Sequence, residues 1–177
     1  KRLEPWGQGW LVRRALKRDD GGMNKFRSYM DHALDEARSA GARGEVPVGA
    51  VIIDGQGQIV ALAGNRTREL ADPTAHAEVL AIRAACAVLG SERLIDHDLY
   101  VTLEPCAMCA GAIAAARIKR LYFGASDSKS GGVLAGARVF THAQCHHAPE
   151  VYDGIGAGQS TMLLQEFFDE KRAFTQK

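Results

Sequence analysis

Three side chains able to hold a zinc ion, and one able to move a proton beside it, fall in two short stretches of this 177-residue chain: His76-Ala77-Glu78 and Pro105-Cys106-Ala107-Met108-Cys109. His76, Cys106 and Cys109 supply one nitrogen and two sulfurs, donor types that Zn²⁺ takes readily. Three protein ligands leave the fourth position for water or substrate, whereas a structural zinc is normally closed by four. The count points to catalysis. Zinc lowers the pKa of water at such a position, and Glu78, two residues past the histidine, is placed to carry the protons.

Each residue also has a plainer reading. An isolated CxxC serves equally as a redox dithiol or as half of a structural zinc site. A glutamate in the first turn of a helix is favoured by the helix dipole whatever else it does. What separates the readings is the missing fourth ligand. Cys86 lies ten residues along the same expected helix from His76, roughly 15 Å of rise, and so reads as a core residue. Cys145-His146-His147 forms a second cluster, but adjacent residues seldom converge on one ion without further ligands, and it reads as a loop.

These residues need a scaffold, and the composition supports one domain with a single core: 46% of residues are hydrophobic. The 22 basic and 21 acidic residues leave a formal charge of +1, so bulk electrostatics do not announce a nucleic-acid partner and any such partner must be recognised locally. Four cysteines, two of them in the CxxC pair, do not resemble a disulfide framework and fit a reducing cytoplasm. Residues 1–22 differ from the rest: Lys1, Arg2, Arg13, Arg14, Lys17 and Arg18 outnumber Glu4, Asp19 and Asp20, and Asp19-Asp20-Gly21-Gly22 ends the segment. They lack the apolar stretch of a secretory signal or membrane span. The expectation is an N-terminal extension at 1–22 outside the fold and one domain over 23–177.

From Met23 the apolar residues Phe26, Met30, Ala33, Leu34 and Ala37 recur at three and four, predicting a helix stopped near Gly41. Val46 to Ile53 and Ile59 to Ala63, joined by Asp54-Gly55-Gln56-Gly57, predict a β-hairpin. Asp72-Pro73-Thr74 precedes an alanine-rich helix from about Ala75 to Leu89, closed by Gly90. Strand Leu99 to Leu103, a helix opened by Cys106, strand Ile118 to Phe123, a short fifth strand at Glu150 to Tyr152, and an amphipathic helix carrying Met162 to Phe168 complete the pattern. Phe167-Phe168 reads as core. Strands alternating with helices after a hairpin imply a three-layer α/β/α domain, a mixed five-stranded sheet flanked by helices with right-handed crossovers. In that arrangement two helix N-termini meet at one end of the sheet, and their partial positive charge favours thiolate.

The H-x-E and P-C-x-x-C pair is the signature described for zinc nucleobase deaminases. The stretches Glu45-Val46-Pro47-Val48-Gly49-Ala50-Val51, Asn65-Arg66, Asp72 to Glu78 and Tyr100 to Ile113 resemble the bacterial tRNA-specific adenosine deaminase family, over essentially Met23 to the C-terminus. The resemblance implies a cytidine-deaminase-like fold, one zinc per subunit, a homodimer, and hydrolytic deamination of the wobble adenosine in a tRNA anticodon loop to inosine. It also implies substrate contacts from Asn65 and Ala77, and from Asp127 and Lys129 in the loop after the fourth strand. A carboxylate there suits a sugar 2′-hydroxyl, and a lysine suits a phosphate. His146 stands where the family more usually has asparagine. Guanine-deaminase relatives share much of the Asp72-to-Glu78 stretch, so deamination of a free base or nucleoside is the alternative. The Thr102-Leu103-Glu104 lead-in and the Asp127/Lys129 loop favour tRNA over it.

Overall fold

Alternating β-branched and alanine-rich runs fold, in a computed structural model that describes residues 28–175, as α1 (Tyr29–Ala42), β1 (Gly49–Ile53), β2 (Ile59–Gly64), α2 (Ala77–Leu89), β3 (Asp98–Leu103), α3 (Ala107–Ala115), β4 (Arg120–Ala125), β5 (Glu150–Tyr152) and α4 (Ala157–Thr175). The expected extension at 1–22 and Phe26 lie outside the described residues. The sheet order is β2-β1-β3-β4-β5. β1 runs antiparallel to both neighbours, while β3, β4 and β5 are parallel. The five-stranded mixed sheet and its three layers are those expected.

β1 is buried along its whole length, and its alternation divides the core in two. Ala50 and Ile52 join Leu80 of α2, Ile113 of α3, and Leu99, Leu121 and Phe123 of the parallel strands. Val51 and Ile53 meet Met30, Ala33 and Leu34 of α1 on the opposite face. Each large apolar side chain buried this way stabilises the fold by about 1.5–3 kcal/mol. α1 comes unusually close because Gly49 and Gly64, paired across β1 and β2, carry no side chain. A Cβ on Gly49 would lie 2.6 Å from the Ala37 nitrogen and nearer still to the Ala33 carbonyl oxygen.

Several element boundaries differ from expectation for local reasons. β1 starts at Gly49 and not at Val46, since Pro47 has no N–H to offer a ladder and the Val48 N–H turns back to the Val46 carbonyl at 2.8 Å. α1 passes through Gly41, and the chain reverses at Gly44, where φ is 81°. β4 begins at Arg120 because Arg117, at φ 62°, and the buried Ile118 form a turn below it. α2 ends on Gly90 in the left-handed conformation, as expected. Phe168, expected in the core, is 43% exposed. α4 meets β4 where buried Ser160 sits against Gly124, and of its apolar residues Leu163 reaches the smaller core, so the helix's later turns cover little. Among the described residues no helix is long and apolar enough to cross a membrane.

Gly49→Ala is expected to destabilise the zinc-loaded protein by about 3 kcal/mol in urea unfolding, because α1 must move off the sheet to admit one methyl group. A loss below about 1 kcal/mol would show that the helix yields readily.

Candidate active site

The chain reaches the candidate site twice, each time at a helix start. His76 is the N-cap of α2 and Cys106 the N-cap of α3, both in extended conformation, and neither side chain caps its own helix. N-cap positions usually carry Ser, Thr, Asp or Asn, whose side chains fold back onto the first turn. Here both side chains turn toward each other. The Asp72-Pro73-Thr74 turn delivers His76: the Asp72 carboxylate accepts from the Thr74 N–H at 2.8 Å and hydroxyl at 2.7 Å, and the Arg66 N–H binds the Ala75 carbonyl at 3.0 Å. α2 therefore starts at Ala77, two residues later than its sequence pattern predicts.

His76, Cys106 and Cys109 form a cluster whose ligand atoms all lie within 4.8 Å of one another. His76 Nδ1 is 3.8 Å from Cys106 Sγ and 3.5 Å from Cys109 Sγ. A tetrahedral zinc with bonds of about 2.3 Å to sulfur and 2.0–2.1 Å to nitrogen requires nitrogen–sulfur edges of roughly 3.6 Å. The residues present fit the ion. Cys109 is fully buried, Cys106 and His76 are half-buried, and among the described residues no fourth His, Cys, Asp or Glu joins them.

The three side chains of the cluster are electrostatically coupled. Bonding to Cys109, reinforced by His76, pulls the Cys106 thiol down to about 4. Cys109 moves the opposite way, because its bond to Cys106 and its burial both disfavour a second thiolate beside the first. The bond to Cys106 raises His76 above the ordinary imidazole value against the effect of burial. Glu78 is 4% exposed, and desolvation pushes its carboxyl up toward the proton-holding form. A buried carboxyl beside a metal-ligand cluster is able to take and return a proton.

The remaining candidate residues sit around this cluster in different ways. Asn65 is buried, and its Oδ1 accepts the Ala77 N–H at 2.8 Å, which satisfies an unpaired donor at the start of α2. That leaves the two Nδ2 hydrogens as the amide's free capacity. Ala77 is fully buried, with its N–H committed to Asn65. Asp127 Oδ1 accepts the Lys129 and Ser130 N–H groups at 3.0 Å each, and the Lys129 side chain is exposed. The Cys145-His146-His147 loop lines a cleft of about 430 Å³ beside α3, where His147 Nε2 lies 2.6 Å from the Ile118 carbonyl and the Cys145 thiol donates to the His147 carbonyl at 3.0 Å. Among the described residues it forms no metal cluster.

Sequence reasoning missed two buried carboxylates that frame the site. Glu45, 1% exposed, accepts from the Thr67 hydroxyl at 3.1 Å and the Arg68 and Glu69 N–H groups at 2.9 Å each, holding the loop between β2 and α2. Glu104, 3% exposed, accepts four backbone N–H groups from the loop after β4. Burial alone would raise the Glu104 carboxyl, and those bonds overcome it and hold the carboxyl below its usual range. The available signal was an acidic residue at the edge of an apolar run, at Glu45-Val46 and at Leu103-Glu104.

One histidine, two cysteines and a buried glutamate thus meet at paired helix starts of a three-layer domain, an arrangement fit for a zinc-dependent hydrolase. Residues 23–125 match the family described as the cytidine and deoxycytidylate deaminase zinc-binding region. The tRNA-specific adenosine deaminase of Agrobacterium fabrum is 58% identical over 144 residues, which is 81% of this chain and 94% of that protein. A structure solved in a study of A-to-I editing by tRNA:A34 deaminases superposes with a TM-score of 0.76 at 58% identity, covering 77% of this chain and 98% of that one. A guanine deaminase from Nitrosomonas europaea shares the fold at a TM-score of 0.67, with 22% identity over 78% of this chain and 81% of that one. The chain belongs to the tRNA-specific adenosine deaminase family.

Cys109→Ala is expected to weaken zinc binding by about 100-fold or more, the share of one ligand in a binding energy of about 10–16 kcal/mol. Competition with a chelator reads this directly; unchanged affinity would remove Cys109 from the ligand set.

Proposed function

We propose that this protein hydrolyses the 6-amino group of adenosine at the wobble position of a tRNA anticodon loop, giving inosine and ammonia. The observation that carries this reading is the three-ligand cluster with buried Glu78 beside it, in a chain 58% identical to a tRNA-specific adenosine deaminase over 81% of its length. His76, Cys106 and Cys109 would hold the zinc, which when bound supplies the acidity that makes water a nucleophile near neutral pH. Glu78 takes one proton from the attacking water and passes it to the purine ring nitrogen, then takes the second from the new C6 hydroxyl and gives it to the departing amine. The C6–N bond breaks as the C6–O bond replaces it, and no co-reactant besides water is consumed.

The other roles follow from the remaining capacity of each residue. Asn65, anchored through Oδ1, offers Nδ2 to the purine extruded into the site, and Ala77 at the start of α2 forms the adjoining wall. Asp127 keeps Oδ2 for a 2′-hydroxyl, and exposed Lys129 suits a phosphate. Residues 23–177 form the deaminase domain and 1–22 lie outside it, a division supported by the family match beginning at residue 23. The four cysteines are unpaired, which supports a cytoplasmic location. A homodimer is supported by the solvent-facing side of α3, where Ala107, Met108, Gly111 and Ala115 are exposed. Sedimentation of the zinc-loaded chain as a monomer at micromolar concentration would overturn the dimer.

The deciding experiment offers the protein an anticodon stem-loop RNA bearing the wobble adenosine and, separately, free guanine, cytosine and cytidine. A mass shift to inosine in the RNA alone is the expected result. Turnover of a free base without RNA turnover would install the free-base alternative, which the shared fold of the guanine deaminase leaves standing on architecture alone. Glu78→Ala should retain zinc and lose about 10²–10⁴-fold in kcat, the usual range for a general acid–base group. Near-normal kcat in that variant would show that protons travel by another route.

A further inference from the structure

The loop that carries Asp127 and Lys129 is gripped at both ends by one buried carboxylate. Glu104 Oε2 accepts the Asp127 N–H at 3.1 Å, and Oε1 accepts those of Val133 at 3.2 Å, Leu134 at 2.8 Å and Ala135 at 2.9 Å. The same residue belongs to the metal-binding turn, two positions before Cys106, and its own N–H is tied to the Ala125 carbonyl at 2.8 Å. Next to it, the Gly132 N–H donates to the Pro105 carbonyl at 2.8 Å, and Cys106 bridges to Gly131. The two segments touch at backbone distance. A Cβ on Gly131 would lie 2.7 Å from the Glu104 carboxyl carbon, and one on Gly132 would lie 2.5 Å from the Ala107 nitrogen and 2.7 Å from the Cys106 carbonyl carbon.

We propose that Glu104 is a positioning residue for RNA recognition, setting the 126–135 loop on the metal-binding turn so that Asp127 and Lys129 meet the anticodon-loop backbone at a fixed distance from the reacting base. This rests on the tRNA reading above. Asp127 is the point of transmission. Its backbone N–H is held by Glu104, while its own Oδ1 holds the Lys129 and Ser130 N–H groups at 3.0 Å each. The first turn of the loop therefore moves as a unit with the carboxylate. A carboxylate is required chemically, because four N–H donors converge on two oxygens and both must accept. An amide has one accepting oxygen, so in Glu104→Gln its NH₂ would face either Asp127 or the 133–135 segment donor to donor. The conserved size of that variant leaves the surrounding packing filled.

The test compares the zinc-loaded full chain with E104Q on the wobble-adenosine stem-loop. The expected result is retained zinc, a KM raised about 10-fold with kcat within about 3-fold, and faster amide hydrogen exchange confined to 126–135, as befits loss of a charge-assisted anchor. A double-mutant cycle with D127A/K129A separates positioning from general loosening: E104Q should add little to KM once those side chains are gone. Additive KM effects, or an unchanged KM despite faster exchange, would overturn the proposal. Should E104Q lose its zinc, E104D decides between readings, since it keeps the charge: zinc restored with a raised KM supports positioning, and loss of zinc in both makes Glu104 part of the metal turn and overturns it. A wild-type chain inactive on the stem-loop would sink the tRNA reading itself. In that case unchanged exchange at 126–135 in E104Q would overturn the clamp as well.

Discussion

Two helices begin at the same end of the sheet, and each begins on a side chain that gives up capping its own first turn to face the other. That exchange is the constraint on which the site depends. His76 and Cys106 leave helix N-termini without the usual side-chain acceptor, and at α2 the place is taken by Asn65, at the end of β2, which accepts the Ala77 N–H. A second cysteine one turn into α3 then falls on the same side as Cys106, because residues three apart on a helix are neighbours. The result is a nitrogen and two sulfurs at tetrahedral spacing, held on the first turns of two neighbouring helices.

Two buried carboxylates keep this arrangement in place, and they do so through main-chain N–H groups. Glu45 and Glu104 together accept six backbone N–H groups and a hydroxyl from the two loops that flank the ligands. Charge-assisted bonds of this kind, shielded from water, exceed what exposed pairs such as Arg38–Asp35 or Lys119–Asp96 contribute. They also cost no long side-chain ordering on the donor side, since the donors are main chain. The loops after β2 and β4 are thus irregular in shape yet specified by single residues.

Much of this was legible in the chain itself. The hairpin around Asp54-Gly55, the alternation of strands and helices, and the glycine stop at Gly90 all follow from local chemistry and period, and they are enough to place His76 and Cys106 at neighbouring helix starts. The limits of the reading are equally physical. Burial of Glu45 and Glu104 depends on loops distant in sequence closing over them, which no local pattern encodes. Gly49 and Gly64 look like ordinary strand residues until α1 is seen lying against them. Phe168 looks like core by its neighbours in sequence, but the helix that carries it meets the sheet at Ser160 and extends beyond it.

Four tyrosines cross the α1 face of the sheet in a line. Tyr100, Tyr122 and Tyr152 occupy matched positions on β3, β4 and β5, with ring centroids 4.3 Å and 4.8 Å apart and planes within 6° and 12°, and Tyr29 of α1 closes the row at 5.3 Å. Because side chains alternate between faces, sliding any one of these strands by a single residue would throw its ring to the opposite side and break the column. The column works as a vernier: it admits one alignment of the three strands and rejects the next. That alignment brings Leu103 level with Ala125, the point where the polypeptide leaves the sheet toward the zinc ligands on one strand and toward the loop that carries Asp127 and Lys129 on the other. A row of phenol rings remote from the chemistry thereby calibrates where the two halves of the catalytic mouth come out.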